Sequence, residues 1–336
     1  MNLTRRELLL TLPSLALVRR AFAQARPTIQ LKGFNHFKLL VADVKRSVDF
    51  YQSLFGMPIQ ARQGRTVILR MGTGPQFIAI GPAGSAAPSI SQMGLAVDNF
   101  NADRLAGILA QHGFTKSDAE GPMKMQLKMR EGTPELFLQD LDGIRIQLQD
   151  ISYCGGSGPL GNVCSKIEPS PKKPLLAVKE ISHFTNSMSD ATKANEFYQS
   201  LFGLHVRSKQ GAALGLGVGP GIGFVMFTGG GGGGRGAAAA APRPASIGHV
   251  CMNLPNFNVE SIQKTLATVG ITPRGEAQGG PTGPLKTYIS MRMPNRGGAE
   301  GGTPELYFTD PDGLAIQLQD VTYCGGGGYL GNELCV

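Results

Sequence analysis

Ser47-Val48-Asp49-Phe50-Tyr51-Gln52-Ser53-Leu54-Phe55-Gly56 decides how the rest of this chain is read. Its apolar residues recur at helical spacing, and Gly56 stands where a left-handed residue ends a helix. The stretch from Phe50 to Gly56 returns unchanged from Phe197 to Gly203. Other matches follow in the same order. Asn99-Phe100-Asn101 recurs as Asn256-Phe257-Asn258, and Thr133-Pro134-Glu135-Leu136 as Thr303-Pro304-Glu305-Leu306. Residues 146–150 recur as 316–320, and 153–156 as 323–326. The chain is a duplication of a whole domain, too long in period for a solenoid. The offset widens along it, so the second copy carries insertions.

Each copy is doubled again. Residues 34–41 alternate around His36 and predict a strand, followed by the helix that stops at Gly56 and by strands over 67–71 and 77–80. The cycle then restarts with a strand over 93–97, a helix over 101–111 ending near Gly113, and strands over 124–129, 135–139 and 144–149. Asp140-Leu141-Asp142-Gly143 turns between the last two; Asp310-Pro311-Asp312-Gly313 is the stronger signal in copy two, because Pro311 pre-sets φ. The fold class is α+β, each copy reading βαβββ twice. The expected domains are 30–164 and 178–336, with the proline- and lysine-bearing segment 165–177 between them as a linker. Residues 229–246, with six glycines and five alanines in runs, predict an exposed insertion, and 294–302 a second glycine-rich loop. Neither fits G-x-G-x-x-G between strand and helix, so no phosphate cradle is expected.

The 336 residues suit about two domains. Hydrophobic residues at 41% and charged residues at 17% exclude a disordered, charge-rich chain. No apolar run is long enough for a membrane span. Net charge is +8, but Arg5, Arg6, Arg19 and Arg20 against Glu7 place +3 of it in residues 1–23. The remaining basic residues are scattered without aromatic interleaving, which excludes a nucleic-acid surface.

Residues 1–23 combine the twin arginine Arg5-Arg6, a weakly apolar stretch and Ala21-Phe22-Ala23, an A-x-A cleavage pattern. They resemble a twin-arginine (Tat) signal peptide. This implies the Tat machinery as a partner, a periplasmic or otherwise exported location, and cleavage after Ala23. Cysteine usage agrees with export. Cys154 and Cys164 bracket one glycine-rich loop, and Cys324 and Cys335 its copy. Four cysteines allow three pairings; the short repeated loops favour Cys154–Cys164 and Cys324–Cys335. Zinc is the rival reading, but there is no C-x-x-C and no histidine nearby. Cys251 is left over.

With the Ser47–Gly56 motif, the Asp310–Gly313 turn and Ile316-Gln317-Leu318 in hand, the sequence resembles the vicinal oxygen chelate superfamily. That superfamily includes glyoxalase I, bleomycin-resistance proteins and type I extradiol dioxygenases. The resemblance covers residues 30–150 and 178–320. It implies tandem domains, each of two βαβββ units curled into a cup-shaped mixed sheet. Family ligand positions on the first strand, the first strand of the second unit and the last strand carry over to His183, His249 and Gln317 in copy two. In copy one they carry over to His36, Gln92 and Gln147. Extradiol enzymes have Glu where Gln317 stands, and a neutral amide binds a cation more weakly than a carboxylate; glyoxalase I relatives use a glutamine. Asp312 and Glu305 are nearby carboxylates, with Asp312 read as turn chemistry. Cys251 shares strand parity with His249 and is expected to face the cup as a small buried hydrophobe. Tyr288, Tyr307 and Phe308 are expected in core or cup wall, His112 at a helix end and His205 on the surface.

Two functions follow from the resemblance. One is a metal-dependent enzyme acting on a small vicinal-oxygen substrate, with a divalent cation (Fe(II), Mn, Zn or Ni) in copy two and a degenerate site in copy one. The other is a metal-free small-molecule binding protein of the bleomycin-resistance type.

Overall fold

A computed structural model describes residues 27–229, 244–275 and 282–336. The stretch 1–26, which contains the expected signal, and most of the glycine/alanine insertion lie outside the described residues.

The first domain runs β1 (Leu31–Val41), α1 (Val44–Phe55), β2 (Ile59–Gln63), β3 (Thr66–Arg70) and β4 (Phe77–Pro82). Its second unit is β5 (Ser89–Val97), α2 (Ala102–Gln111), β6 (Thr115–Lys116), β7 (Lys124–Arg130), β8 (Thr133–Gln139) and β9 (Arg145–Asp150). The second domain repeats this as β10 (Glu180–Met188), α3 (Ala191–Phe202), β11 (Val206–Gln210), β12 (Ala213–Gly217), β13 (Phe224–Gly229), β14 (Ser246–Leu254), α4 (Val259–Thr268), β15 (Thr272–Pro273), β16 (Lys286–Arg292), β17 (Thr303–Thr309) and β18 (Ala315–Asp320).

Each domain is one nine-stranded mixed sheet, in the orders β2-β3-β4-β1-β5-β9-β8-β7-β6 and β11-β12-β13-β10-β14-β18-β17-β16-β15. In both, the first strand of one unit lies antiparallel to the first strand of the other and parallel to the last strand of its own unit. The six ligand-position strands of the duplication, three in each sheet, therefore meet at the sheet centres.

The helices end and begin as their sequences demand. Asp43 and Asp190 cap α1 and α3 by accepting from backbone N–H groups of the first turn, and Asn101 and Asn258 do so for α2 and α4. Gly56 and Gly203 close α1 and α3 with φ of 63° and 65°, a conformation that costs glycine no steric penalty. Strand β2, like the two-residue β6, is an element the periodicity does not reveal. It lies on the sheet edge, and of Ile59–Gln63 only Ile59 and Gln60 are buried, so there is no apolar alternation to read.

The face opposite each cup carries the core. Phe37, Leu39 and Val41 of β1 and Tyr51, Leu54 and Phe55 of α1 join a single cluster that extends into the second domain through Phe184, Tyr198 and Phe308. Phe34 meets Phe184 at 5.0 Å between ring centres, and Phe50 and Phe55 each meet Phe308 at 6.2 Å. Full burial of one such side chain contributes roughly 1.5–3 kcal/mol. The 165–177 segment is tied to the first domain: Ile59 and Glu168 bridge, and the backbone N–H groups of Leu175 and Leu176 donate to Leu54 O.

Both cysteine pairs are disulfides, Cys154–Cys164 and Cys324–Cys335, each closing one loop after the last strand of its domain. Cys251 is free and buried. One expectation changes. Asp310, not Asp312, builds the turn, its Oδ1 accepting from the backbone of Asp312 and Leu314. Asp312 instead reaches the first domain, pairing with Arg46 at 2.6 Å.

Candidate metal centre

His183 on β10, Cys251 on β14 and Gln317 on β18 are direct partners across three adjacent strands, so they share one face. His249 lies two residues before Cys251 and shares that face. The three expected ligand residues therefore converge. His183 Nε2 is 3.1 Å from Gln317 Oε1 and 3.4 Å from His249 Nε2. The His183 ring is clamped, stacked on Phe224 with centres 4.4 Å apart, and Tyr323 packs beside it at 5.6 Å. Its Nδ1 lies 3.3 Å from Ser182 Oγ. His249 is half-buried and meets the edge of Tyr307 at 5.2 Å. Burial pulls its pKa down to about 4; burial first, and then His249 beside it, pulls that of His183 well below the ordinary value. Both imidazoles are neutral at neutral pH, the state that can donate a lone pair to a metal.

Copy one brings its residues to the same place with different chemistry. His36 Nδ1 is 2.8 Å from Asn35 Oδ1, an oxygen held in place because the Asn35 amide donates to Tyr153 O. A carbonyl oxygen has no proton to give, so His36 Nδ1 carries it and Nε2 is left to accept. Gln92 Nε2 supplies that proton at 2.8 Å and donates to Gln147 Oε1 at 2.6 Å. The set is closed by its own hydrogen bonds. Burial lowers the His36 pKa to about 3.

Copy two has no such donor. Its second imidazole, His249, stands where copy one has Gln92, so two ring nitrogens and an amide oxygen face one another. Metal–ligand bonds of about 2.1 Å at angles of about 90–110° would place ligand atoms about 3.0–3.4 Å apart. The observed spacings fall in that interval, so the residues fit a first-row divalent cation. Buried Gln317 Nε2 has no partner, but neither has Gln147 Nε2, so the imidazoles and not the amides separate the two cups.

Glu305 is engaged by other side chains through one of its oxygens. Its Oε1 is held by Arg292 at 2.9 Å, a fully buried guanidinium, and by the Tyr323 hydroxyl at 3.1 Å. Sequence reading passes over Arg292, Tyr323 and Ser182, whose roles come from strand register. Their first-domain counterparts repeat the pattern: Arg130 pairs with Glu135 at 2.7 Å, and Tyr153 donates to it at 2.8 Å. Tyr307 stands in the cup wall, stacked on Tyr288 at 4.9 Å, whereas Phe308 belongs to the core. His112 caps α2, and His205 is exposed. The outer rim of this cup borders a depression of about 430 Å³ lined in part by Ile247, Arg274, Tyr288 and Ala315.

Residues 33–148 match the model of the Glyoxalase/Bleomycin resistance protein/Dioxygenase superfamily. They form a domain of that superfamily. Known structures share the fold over both domains. Homoprotocatechuate 2,3-dioxygenase from Brevibacterium fuscum, in complex with 3,4-dihydroxyphenylacetate, is 16% identical with a TM-score of 0.58, covering 88% of this chain and 82% of its own. The 2,3-dioxygenase LapB from Pseudomonas sp. KL28 is 14% identical with a TM-score of 0.58, covering 87% of this chain and 93% of its own. A Mn(II)-bound glyoxalase from Novosphingobium aromaticivorans is 14% identical with a TM-score of 0.58, covering 86% and 82%. At these identities the likeness is one of fold. Among curated proteins none matches the sequence.

Proposed function

We propose that this chain is an exported, metal-dependent enzyme of the vicinal oxygen chelate type, with His183, His249 and Gln317 holding one divalent cation. The observation that carries the reading is the convergence of two neutral imidazoles and an amide oxygen, with His183 Nε2 3.1 Å from Gln317 Oε1 and 3.4 Å from His249 Nε2. The cation would supply Lewis acidity and a template for two vicinal oxygens of a small substrate. The chain's own residues orient it. Ser182 Oγ, 3.3 Å from Nδ1 of His183, can accept its proton and leave Nε2 free to bind, the outer hydrogen bond typical of metal-ligating histidines. Phe224 and Tyr323 fix the ring plane. Burial raises the Tyr307 pKa well above its ordinary value, so this phenol keeps its proton and can donate a hydrogen bond to an oxygen in the cup. The 2,3-dioxygenase and Mn(II)-bound glyoxalase neighbours support this class of chemistry. The disulfides support export, because they persist in oxidising compartments.

The test is metal analysis after anaerobic reconstitution, together with the intact mass of exported protein. Wild type is expected to hold one equivalent, His36→Ala to keep it, and His183→Ala and His249→Ala to lose it. Mature protein is expected to begin at Gln24. A second reading, a metal-free small-molecule binding protein, is favoured by the neutral Gln317. It becomes the better account if wild type takes up no stoichiometric metal.

A further inference from the structure

The first domain's cup lacks the donors for a metal, yet it holds an open cavity of about 550 Å³. Its lining differs in charge from the second cup at three positions fixed by strand register. Lys38 lies opposite Gln92, where Thr185 lies opposite His249. Lys128 lies opposite Glu135, where Ser290 lies opposite Glu305. Arg145 lies opposite Gln139, where Ala315 lies opposite Thr309. Three cations thus line one cup and three neutral residues take their places in the other.

We propose that the first cup binds a small aromatic carboxylate, its anionic end held by Lys38, Lys128 and Arg145 and its ring by the apolar wall.

The local carboxylates neutralise only part of this charge. Glu135 is committed to Arg130 and to the Tyr153 hydroxyl. Glu120, on the cavity's lining, pairs with Arg145, which leaves Lys38 and Lys128 as the unmatched charges. Lys38 and Lys128 make no ion pair among the described residues. Burial and the nearby Arg145 depress the Lys38 pKa, a repulsion that a bound anion would relieve. Lys128 Nζ and Arg145 Cζ lie 5.9 Å and 4.3 Å from the centre of the Phe137 ring, so one aromatic ring meets two of the cations. Phe77, Ala79 and Ile90 supply an apolar wall that inorganic phosphate would not use. The neutral His36–Gln92–Gln147 set adds no charge.

The proposal does not rest on a metal in the second domain, and the experiment is run on full-length protein stripped with chelating resin. Titration calorimetry at low salt compares benzoate with neutral benzamide, acetate and inorganic phosphate. Benzoate is expected to saturate below about 10 mM, and benzamide to bind about tenfold or more weakly. Acetate and phosphate are expected to be weaker than benzoate, since neither gains the apolar wall. Lys38→Thr, Lys128→Ser and Arg145→Ala install the second cup's own residues, and each is expected to weaken benzoate about tenfold. Retained far-UV circular dichroism and melting temperature confirm that the variants fold. Equal binding of benzoate and benzamide, benzoate binding indifferent to all three variants, tighter binding of phosphate, or no saturation by benzoate each overturns the proposal.

Discussion

The Tyr51 hydroxyl donates to Asp310 Oδ2 across the two domains at 3.3 Å, and Tyr198 answers with Asp140 Oδ2 at 2.8 Å. Each tyrosine belongs to the helix motif that repeats unchanged, and each aspartate opens the hairpin turn of the other domain. The second aspartates of the turns reach across as well. Asp312 engages Arg46 and Ser47, and Asp142 accepts from the Ser189 backbone and hydroxyl. The strongest repeat in the sequence is thus half of a reciprocal contact, which asks the same of both copies.

Burial raises the pKa of Asp140 and of Asp310 to about 6. The folded state therefore holds more protons than the unfolded state between about pH 4 and pH 6, and stability falls as pH rises through that window. Each carboxyl is expected to cost on the order of 2–3 kcal/mol above the window relative to below it. Asp140→Asn and Asp310→Asn mimic the protonated form. Relative to wild type, each should gain stability in urea unfolding at about pH 7.5 compared with about pH 4.5. An identical difference at both pH values would show that the carboxyls are not perturbed.

Gly94 is the floor beneath His36. A Cβ there would lie 2.1 Å from His36 Nδ1, while the second domain places Cys251 at the corresponding register. Gly94→Ala is expected to destabilise by about 1–3 kcal/mol through overpacking. Gly107 in α2 is exposed, and a methyl added there would meet open space, so Gly107→Ala should stabilise by up to about 1 kcal/mol. Chemical denaturation measures both, and a neutral Gly94→Ala would mean that the imidazole moves aside freely.

Gln317→Glu restores the anionic ligand usual among extradiol enzymes. Buried without a cation, the new carboxylate should lower the melting temperature of stripped protein. Added Mn(II) should then raise it by more than it raises wild type, because a ligand that binds only the folded state stabilises by its occupancy. Thermal melts with and without Mn(II) check this, and equal responses in both proteins would remove Gln317 from the metal site.

Each disulfide closes a short loop, for which chain entropy gives on the order of 3 kcal/mol. Cys154→Ser and Cys324→Ser are expected to lower stability by about that amount under oxidising conditions, and to change little when wild type is itself reduced. Non-reducing peptide maps should show only the local pairs.

The duplication, the βαβββ units, the helix ends at Gly56 and Gly203 and the two disulfide pairings are all legible along the chain. These rest on short-range chemistry: periodicity, caps, turn residues and loops of ten or so residues. Family resemblance also placed His183, His249 and Gln317 together. What surrounds them came from the packing in three dimensions. Arg292 pairs with Glu305, Asp312 reaches from its own turn to the other domain, and Asn35 sets the His36 tautomer that closes the first cup. The cationic lining of that cup is equally invisible along the chain. Lys38, Lys128 and Arg145 sit on three strands far apart in sequence. Strand register alone gives them one face, since a shift of one residue would turn each outward.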